Sequence, residues 1–377
     1  MINVDIDSIN KRITDRSNAW YWQTGRDISL EEAMGIWTDK HSGINTRELL
    51  NLVNQKFGTK VVSIFNVEED SQENLGFVNS VRKGKLADGT EIIIRCHPKG
   101  VKNGYFYVES LASNLACNHG LPSYKTYHIH ELENRDDISF QIIEKCKGIA
   151  VQKWFDSNPQ DVDKIMIEAG KTLAKIHEIN VPGFGPFDNE QAKKGNLVGI
   201  HDSFAKSVRA GLQNSLNVLI DFNVITQEQS EELNKLYSED SPLLKCDQGV
   251  LIHKDFVDWN MLTDGNEITG IVDWDECASG DPVADIASWS SMNPLSRMDK
   301  FLQGYFESKL KPELFDEKLQ LLSLRCTIDN MALRSQRSQY IESDHLNELI
   351  ALGKEQMAES FKYFQIGIEN QDIKEFR

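Results

Sequence analysis

The chain has 377 residues, of which 40% are apolar and 26% charged, an ordinary composition for a globular protein with two lobes. Its formal net charge of −17 argues against nucleic acid or an anionic membrane as the main partner, and suits a cationic small molecule. It has no long apolar run, no secretion signal and no metal-binding spacing among its six cysteines, so we expect a cytoplasmic protein with reduced thiols.

Residues 1–58 are predicted to form a helical extension ahead of the lobes. Ser29 precedes Glu31 and Glu32, a pattern typical of a helix start. A second, amphipathic helix is predicted from Thr46 to Phe57. We expect the extension to dock on one lobe. Its aromatic packing anchors are predicted to be Trp20, Trp22 and Trp37.

From residue 60 the pattern changes to strands rich in Val, Ile and Phe. The connection Glu68–Gly76 holds a single glycine, fewer than a backbone cradle for phosphates usually needs. A helix is predicted over Tyr105–His119. The five predicted strands are Val61–Val67, Val78–Lys85, Thr90–Cys96, Tyr124–Ile129 and Ser139–Glu144.

The rest of the chain is predicted to be mostly helical, apart from one hairpin. His177 ends the first of these helices and is expected to be a core residue. We find no internal repeat. The predicted helices cover about residues 162–179, 201–221, 226–237, 296–310, 313–334 and 344–366.

One segment, from His253 to Asp275, carries most of the chemistry. Asp255 and Asn260 are five residues apart, and Asp273 follows thirteen residues after Asn260. Asp264-Gly265-Asn266 is typical of a hairpin turn, because Gly and Asn tolerate positive φ. The strands Asn260–Thr263 and Ile268–Val272 are therefore predicted to pair, which brings Asn260 and Asp273 together.

These residue types are the ones that phosphoryl transfer needs. Catalysis of that reaction is mostly positioning and charge stabilisation. Mg²⁺ prefers a few oxygen ligands, which the amide of Asn260 and the carboxylate of Asp273 provide. Asp255 is predicted to orient the acceptor hydroxyl or to take its proton. The alternative is an acidic hairpin whose aspartates are only solvated.

The H-x-D-x(4)-N pattern followed by I-V-D-W-D resembles the aminoglycoside phosphotransferase family, and among its members the hygromycin phosphotransferases. Gly280-Asp281-Pro282 and Asp285-Ile286-Ala287 extend the resemblance, as does Gly183–Phe187. It covers about residues 60–345. The resemblance implies an α+β, two-lobed, protein-kinase-like fold. Residues 59–146 would form a five-stranded antiparallel nucleotide-binding sheet, and residues 147–377 a helical lobe with the catalytic loop and the acceptor site.

The resemblance also implies the donor and its contacts. ATP or GTP would bind with Mg²⁺, and Arg95, where such proteins normally have lysine, would clamp the nucleotide phosphates. Glu109 would pair with Arg95; the alternative is a solvated glutamate at a helix start. The hinge would run from Glu144 through Cys146, and its backbone groups would read the purine edge.

Other residues of the segment are assigned supporting roles by the same resemblance. His253 would bond backbone near Asp273 rather than act as a base, and Asp285 would tie its helix to the catalytic loop. Asp281, before Pro282, is predicted to cap that helix. Asp275 would share a strand face with Asp273 if the strand continues. Core positions are predicted for Trp259 and Trp274.

The expected function is a small-molecule kinase whose acceptor is an aminoglycoside or aminocyclitol antibiotic. Asp258, Asp275 and Asp329 are the candidate contacts for such a cationic acceptor, although nearby arginines allow plain surface ion pairs instead. The first alternative is a metabolic kinase of a sugar, an amino alcohol or a homoserine-like acceptor. The oligomeric state and a role in antibiotic resistance are left open by the sequence.

Two rival classes remain. A non-catalytic nucleotide-binding scaffold is favoured by the glycine-poor loop and by Arg95, and disfavoured by the intact Asp255, Asn260 and Asp273. A protein kinase is disfavoured because the chain has neither an A-P-E-like segment nor a long activation loop between Asp273 and Gly280.

Overall fold

A computed structural model describes residues 23–24, 44–66, 79–102, 105–134, 136–339 and 342–367. The predicted loop Glu68–Gly76, the helix start at Ser29 and the three tryptophans of the extension lie outside these residues. The strands are β1 (Gln23–Thr24), β2 (Val61–Asn66), β3 (Ser80–Leu86), β4 (Glu91–Cys96), β5 (Val101–Lys102), β6 (Thr126–His130), β7 (Phe140–Glu144), β8 (Ile149–Ala150), β9 (Phe184–Phe187), β10 (Gly199–His201), β11 (Val250–Ile252), β12 (Met261–Thr263), β13 (Ile268–Ile271) and β14 (Ala278–Gly280).

The helices alternate with these strands at first and then dominate the second half of the chain. They are α1 (Thr46–Phe57), α2 (Phe106–Asn118), α3 (Val151–Ser157), α4 (Val162–Ile176), α5 (Asn189–Ala192), α6 (Phe204–Arg209), α7 (Leu212–Asp221), α8 (Gln227–Leu236), α9 (Pro282–Met292), α10 (Met298–Tyr305), α11 (Phe315–Arg337) and α12 (Asp344–Phe364).

The first lobe is a five-stranded antiparallel sheet in the order β2-β3-β4-β7-β6, as predicted. Strand β4 lies at its centre, with Arg95 opposite Val81 on one side and Gln141 on the other. A central strand is fixed on both sides by backbone hydrogen bonds, so the residue at its end is placed rigidly. The sheet therefore sets the position of Arg95.

Helix α1 docks on this sheet. Asn45 caps it by accepting the backbone N–H groups of Arg47 and Glu48, and Gly58 ends it with φ +74°. Leu49 and Val53 are fully buried in one apolar cluster with the sheet, whose other members include Ile64, Ile92, Ile94, Phe140 and Ile142. The described part of the extension thus packs on the first lobe, while the boundary at residue 58 stays a prediction.

The second lobe packs its helices around one large apolar core that includes Trp274, Trp289 and Phe301. Helices α4 and α10 approach closely at two glycines: a Cβ on Gly170 would lie 2.0 Å from the Phe301 carbonyl oxygen, and one on Gly304 would lie 2.0 Å from that of Ile167. The close crossing brings the C-terminal ends of both helices under the catalytic segment, where His177 and Tyr305 meet.

One predicted helix is wrong. The segment 201–221 contains the end of β10 and two separate helices, α6 and α7, because the chain turns at Ala210 and Gly211, with Gly211 at φ +73°. A side chain with a Cβ rarely adopts that conformation, so glycine marks the break. Among the other predicted helices in the described ranges, Thr46–Phe57 has the predicted ends and the rest have shifted ends. None of the helices in the described ranges combines the length and apolar character needed to cross a bilayer.

The two lobes meet at the hinge and the hairpin. Strand β8, just after the hinge, pairs with β12, and Gly148 stands so close to Thr263 that a Cβ would lie 2.6 Å from its carbonyl oxygen. The segment after α2 also holds β13, since Ile271 donates its N–H to the Pro122 carbonyl at 2.7 Å. The hairpin is therefore fixed from both lobes.

Candidate active site

The catalytic segment begins where β11 ends, and a buried carboxylate holds it there. Asp285 accepts the backbone N–H of His253 at 2.7 Å and that of Lys254 at 2.6 Å, one on each oxygen. Lys254 has φ +63°, a left-handed conformation that non-glycine residues seldom adopt. The two hydrogen bonds stabilise this turn, which directs the chain into Asp255. Asp285 thus ties helix α9 to the loop, the contact that the sequence resemblance implied.

Asp285 is itself held from the opposite side. His177 Nε2 lies 3.1 Å from the Asp285 carboxylate, and His177 Nδ1 lies 2.7 Å from the Tyr305 hydroxyl. Burial opposes the ionisation of Asp285, but the hydrogen bond from His177 and the backbone N–H of His253 bring its pKa below the ordinary value. An ionised carboxylate is the form that accepts both backbone N–H groups, so the network favours one loop conformation.

Asp255 and Asn260 are joined directly. The Asn260 side-chain amide donates from Nδ2 to the Asp255 carboxylate Oδ2 at 2.7 Å and to the Asp255 carbonyl oxygen at 3.0 Å. Both acceptors are oxygens, so the amide nitrogen must face Asp255. The amide oxygen of Asn260 must then point the other way. One residue therefore both orients the predicted catalytic carboxylate and presents an oxygen to the cleft.

The hairpin carries Asp273 to the same place. Strands β12 and β13 pair with Met261 opposite Ile271, each strand one residue shorter than predicted. The predicted turn is present: Asp264 accepts the N–H groups of Asn266 and Glu267, and Gly265 has φ +90°. Directly after the paired strand residues, Val272 donates its N–H to the Asn260 carbonyl at 2.9 Å. Asn260 and Asp273 therefore lie at the open end of one hairpin.

The strand does not continue to Asp275, so the prediction that Asp275 shares a strand face with Asp273 is wrong. Asp273 has φ +65°, and residues Trp274–Glu276 form a short 3₁₀ turn. A left-handed residue cannot extend a strand, and the chain leaves the sheet there. Asp275 instead lies near Arg95, whose pKa it helps to raise.

His253 has the scaffold position that the resemblance implied. Its Nε2 lies 3.2 Å from the carbonyl oxygen of Val272, the residue before Asp273. Complete burial lowers the pKa of His253, which favours the neutral ring that donates to this carbonyl. His253 thus connects the loop that carries Asp255 to the turn that carries Asp273.

Arg95 connects the two lobes at the site. Its guanidinium forms ion pairs with Glu109 of α2 and with Asp273 at the hairpin end. The side chain of Glu109 is fully buried, and that of Asp273 is 37% exposed. Burial opposes the charge of Arg95, but Asp273 and Glu109 hold its pKa well above the ordinary value. Arg95 is therefore a fixed cation in contact with Asp273 at the open end of the hairpin.

The donor set at this opening fits a hard cation such as Mg²⁺. The Asn260 amide oxygen is directed away from Asp255, and Asp273 adds a partly exposed carboxylate. Oxygen ligands of this kind, few in number, leave coordination positions for phosphate oxygens. Across the described ranges, no cluster of three or more His, Cys, Asp or Glu side chains is arranged to hold a metal.

The hinge runs from Glu144 to Gly148, between β7 and β8. Glu144 donates its N–H to the Lys125 carbonyl at 2.8 Å, and its side chain is half-buried. Cys146 packs against Gly270 of the hairpin, and burial raises the pKa of its thiol to about 12. Burial thus favours the neutral thiol, and Cys146 is a packing residue between the hinge and the hairpin.

Two of the three predicted acceptor carboxylates bind arginines of the protein. The Asp258 side chain is 7% exposed and pairs with Arg297. Asp329 pairs with Arg325 and accepts a hydrogen bond from the Ser215 hydroxyl at 2.8 Å. Arg325 also donates to the carbonyl oxygens of Val208 and Ala210. These contacts connect helices and loops of the second lobe to one another.

Sequence reasoning misplaced one residue of the loop. Trp274 is fully buried, as predicted, but Trp259 is 46% exposed. A tryptophan between two loop residues predicts a core anchor by composition alone, because large aromatic side chains are usually well buried. Its neighbours Asp258 and Asn260 are turned inward by Arg297 and Asp255, and this leaves the indole outside.

The fold and the site together define a phosphotransferase. A sheet that carries a fixed cation, a hinge, and a catalytic loop with an adjoining hairpin meet at one opening. The family model described as "Phosphotransferase enzyme family" (APH) matches residues 88–317. This is more than half of the chain, so the chain belongs to that family, whose enzymes transfer phosphoryl groups to hydroxyls. No curated protein matches the sequence.

Solved structures agree on the fold at low identity. An aminoglycoside phosphotransferase, APH(4)-Ia, is 18% identical, with 86% of this chain and 99% of that chain covered and a TM-score of 0.62. A thermostable mutant of it, in a ternary complex with AMP-PNP and hygromycin B, is 17% identical, covers 85% and 99%, and also has a TM-score of 0.62. A candidate fructosamine-3-kinase from Thermobifida fusca is 15% identical, covers 83% and 100%, and has a TM-score of 0.58. They show the kinase-like fold.

Proposed function

We propose that this chain binds ATP with Mg²⁺ and transfers the γ-phosphoryl group to a hydroxyl of a small-molecule acceptor. One observation carries the proposal: Asn260 donates to Asp255 through its amide nitrogen while its backbone carbonyl accepts from Val272, next to Asp273. The base, the amide ligand and the carboxylate ligand are thus held in one hydrogen-bonded unit. GTP is the alternative donor.

We assign to Asp255 the role of orienting the acceptor hydroxyl and taking its proton. The acceptor oxygen attacks the γ-phosphorus, the bond from that phosphorus to the bridging oxygen breaks, and the nucleoside diphosphate leaves with the electron pair. The hydroxyl proton passes to the Asp255 carboxylate. The hydrogen bond from Asn260 at 2.7 Å keeps that carboxylate in a single orientation. Catalysis of phosphoryl transfer is mostly positioning and electrostatic stabilisation, and Asp255 contributes the positioning of the nucleophile.

The charges of the donor are assigned to three groups. The Asn260 amide oxygen and the Asp273 carboxylate would hold Mg²⁺, which neutralises phosphate charge when bound. Arg95, fixed by Glu109, would donate to phosphate oxygens from the N–H groups at the edge of its planar guanidinium. The ion pair between Arg95 and Asp273 keeps the guanidinium beside the proposed Mg²⁺ site. Arg95 and Mg²⁺ would therefore contact the same phosphate groups.

The groups that bind phosphate and metal do not identify the acceptor. Hygromycin B is the acceptor bound in one similar structure, and aminoglycoside or aminocyclitol antibiotics are the first class that the family suggests. The pairing of Asp258 and Asp329 with arginines supports the metabolic alternative, a sugar or a related alcohol. A catalytically silent scaffold is disfavoured by the intact unit of Asp255, Asn260 and Asp273.

The test is a calorimetric titration with a non-hydrolysable ATP analogue, with and without Mg²⁺. We expect Mg²⁺ to raise the affinity of the wild-type chain, and Asp273→Ala to lose at least about tenfold of that affinity, since it removes a charged ligand. Asp221→Asn, an exposed aspartate on α7, is the matched control. Equal affinity in both conditions, or an unchanged Asp273→Ala variant, would count against the metal assignment.

A further inference from the structure

Trp259 is the only side chain of the loop Asp255–Asn260 that the structure leaves exposed. Phe256, Val257, Asp258 and Asn260 are all at most 5% exposed, whereas Trp259 is 46% exposed. Asn260 donates its N–H to the Val257 carbonyl at 2.9 Å, which closes a turn with Trp259 near its tip. The indole is therefore presented to solvent by a loop in which Asp255 is partly exposed and the other four residues are buried.

The residues on both sides of Trp259 are held by contacts with the rest of the protein. Asp258, before it, is bound to Arg297, and its carbonyl accepts the N–H of Gln152 at 3.1 Å. Asn260, after it, is bound to Asp255. Adjacent Cα atoms are about 3.8 Å apart, so the indole begins next to the residue that orients the proposed base. An exposed apolar side chain in the loop that carries Asp255 is the first candidate for contact with an acceptor whose hydroxyl binds Asp255.

The carboxylate next to the indole in the chain is already paired within the protein. Asp258 binds Arg297, and the Asp258 side chain is only 7% exposed. A cationic acceptor would have to displace Arg297 or share Asp258 with it. Breaking an ion pair at a buried carboxylate leaves an uncompensated charge, which is strongly unfavourable. Asp258 therefore does not favour a cationic acceptor at Trp259.

A quaternary ammonium group would be held by a different device, a cage of several aromatic faces. The nearby aromatic ring of Phe155 is covered by the Arg297 guanidinium, which lies 4.8 Å from the ring centroid. Arg297 thus covers the face of the Phe155 ring and also pairs with Asp258. A single open indole face remains, and it matches the C–H face of a neutral ring compound.

We propose that Trp259 is a specificity-determining residue, and that the acceptor is a neutral polyhydroxylated ring, a sugar or a cyclitol, stacked on its indole. The inference rests on the proposed phosphoryl transfer and adds the acceptor class. The ring would place its C–H face on the indole and one hydroxyl at Asp255. Large flat apolar contact beside one oriented polar group is how small-ligand sites select a ring compound.

The first test compares acceptors at fixed ATP and Mg²⁺, with the phosphorylated product measured by mass spectrometry. The neutral panel is D-ribose, D-glucose and myo-inositol, and the cationic panel is hygromycin B and choline. We expect a neutral member to have a kcat/KM at least about tenfold above every cationic member. Phosphorylation of a cationic member alone, or of no neutral member, would overturn the acceptor class.

Those outcomes are separable from failure of the proposed function. Phosphorylation of hygromycin B that depends on Asp255 would leave the phosphotransferase mechanism intact while it overturned the neutral acceptor. Absence of Mg²⁺-dependent nucleotide binding would instead overturn the mechanism, and the acceptor inference with it.

The second test addresses the indole with the acceptor that the panel identifies. Trp259→Ala is expected to raise the acceptor KM about tenfold with a smaller change in kcat, because it removes stacking rather than chemistry. Trp259→Phe keeps a ring and should raise the KM only two- to threefold. Tyr363→Ala, an aromatic residue 50% exposed on α12, is the matched control and should leave KM unchanged.

Tryptophan fluorescence gives a readout that does not depend on turnover. The neutral acceptor should change the emission of the wild-type chain and leave that of Trp259→Phe unaffected. An acceptor KM that is unchanged in Trp259→Ala, or an emission change that persists in Trp259→Phe, would overturn the role of the indole.

Discussion

At the hairpin end of the cleft, Asp255, Asn260 and Asp273 bind one another or Arg95, whereas the predicted acceptor carboxylates Asp258 and Asp329 bind Arg297 and Arg325. The Asn260 amide holds Asp255, and the side chain of Asp273 remains 37% exposed. Asp258 is nearly buried in its ion pair, and Asp329 pairs with an arginine of its own helix. In the proposed function the aspartates at the first end serve as base and metal ligand, and those at the second end serve as structural anchors.

The difference shows that an aspartate in a cleft is defined by its partner. Asp255 is held by the Asn260 amide, and Asp273 is held by an arginine of the proposed phosphate site itself. The arginines that hold Asp258 and Asp329 instead contact other parts of the second lobe. The proposed site binds phosphate and metal at the first end. We therefore expect acceptor recognition at the second end to depend on how well the acceptor ring stacks on the Trp259 indole.

The largest expected effect concerns the anchor behind the hairpin end. Asp285→Asn should lower the free energy of unfolding by about 3 kcal/mol at pH 7, because one buried backbone N–H loses its acceptor and the charge facing His177 is lost. Chemical denaturation measures the difference. Asp299→Asn, an exposed aspartate in the first turn of α10, is the control.

The same variant has a defined pH dependence. The native pKa of Asp285 lies below its ordinary value of 3.8, so its contribution to stability is present above pH 3.8 and is lost as the pH falls through the native pKa. The gap between wild type and Asp285→Asn should be full at pH 7 and should narrow only below pH 3.8. A gap that is already closed at pH 5 would contradict the ionised state of Asp285.

A smaller effect is expected where the two lobes share a cation. Arg95→Lys keeps the charge but loses the planar guanidinium that reaches Glu109 and Asp273 at once. We expect the KM for ATP to rise about tenfold, the loss of roughly one charged hydrogen bond. Steady-state kinetics would test this, with the exposed Arg47→Lys of α1 as the control. An unchanged KM would remove Arg95 from the phosphate site.

The smallest effect should appear at the acceptor carboxylates. Asp329→Asn keeps the hydrogen bond to Ser215 and loses an ion pair whose aspartate is 53% exposed, so it should cost less than about 1 kcal/mol of stability. The acceptor KM should stay within twofold of wild type. A tenfold rise in that KM would assign Asp329 to acceptor binding and erase the contrast between the two ends.

The sequence predicted the hairpin end well because its geometry is local. The turn residues Asp264 and Gly265 determine the pairing of β12 and β13, and that pairing alone brings Asn260 to Asp273. The family pattern added Arg95, Glu109 and the five-stranded antiparallel sheet. Each of these features is encoded by spacing or by a short motif.

The acceptor end was harder to predict because its partners are distant in sequence. Arg297 lies 39 residues from Asp258, and Ser215 lies 114 residues from Asp329. Helix packing brings these pairs together, and no short-range period encodes it. Trp259 was assigned to the core for the same reason, since the contacts that turn its neighbours inward come from outside the motif.

The most direct measurement of the central claim is the turnover of Asp255→Asn with ATP, Mg²⁺ and the acceptor identified by the panel. This substitution keeps the shape of the side chain and an oxygen for the Asn260 amide, and removes the group that takes the proton. The account predicts that kcat falls about 10³-fold while the nucleotide still binds. A kcat within a fewfold of the wild-type value would contradict it.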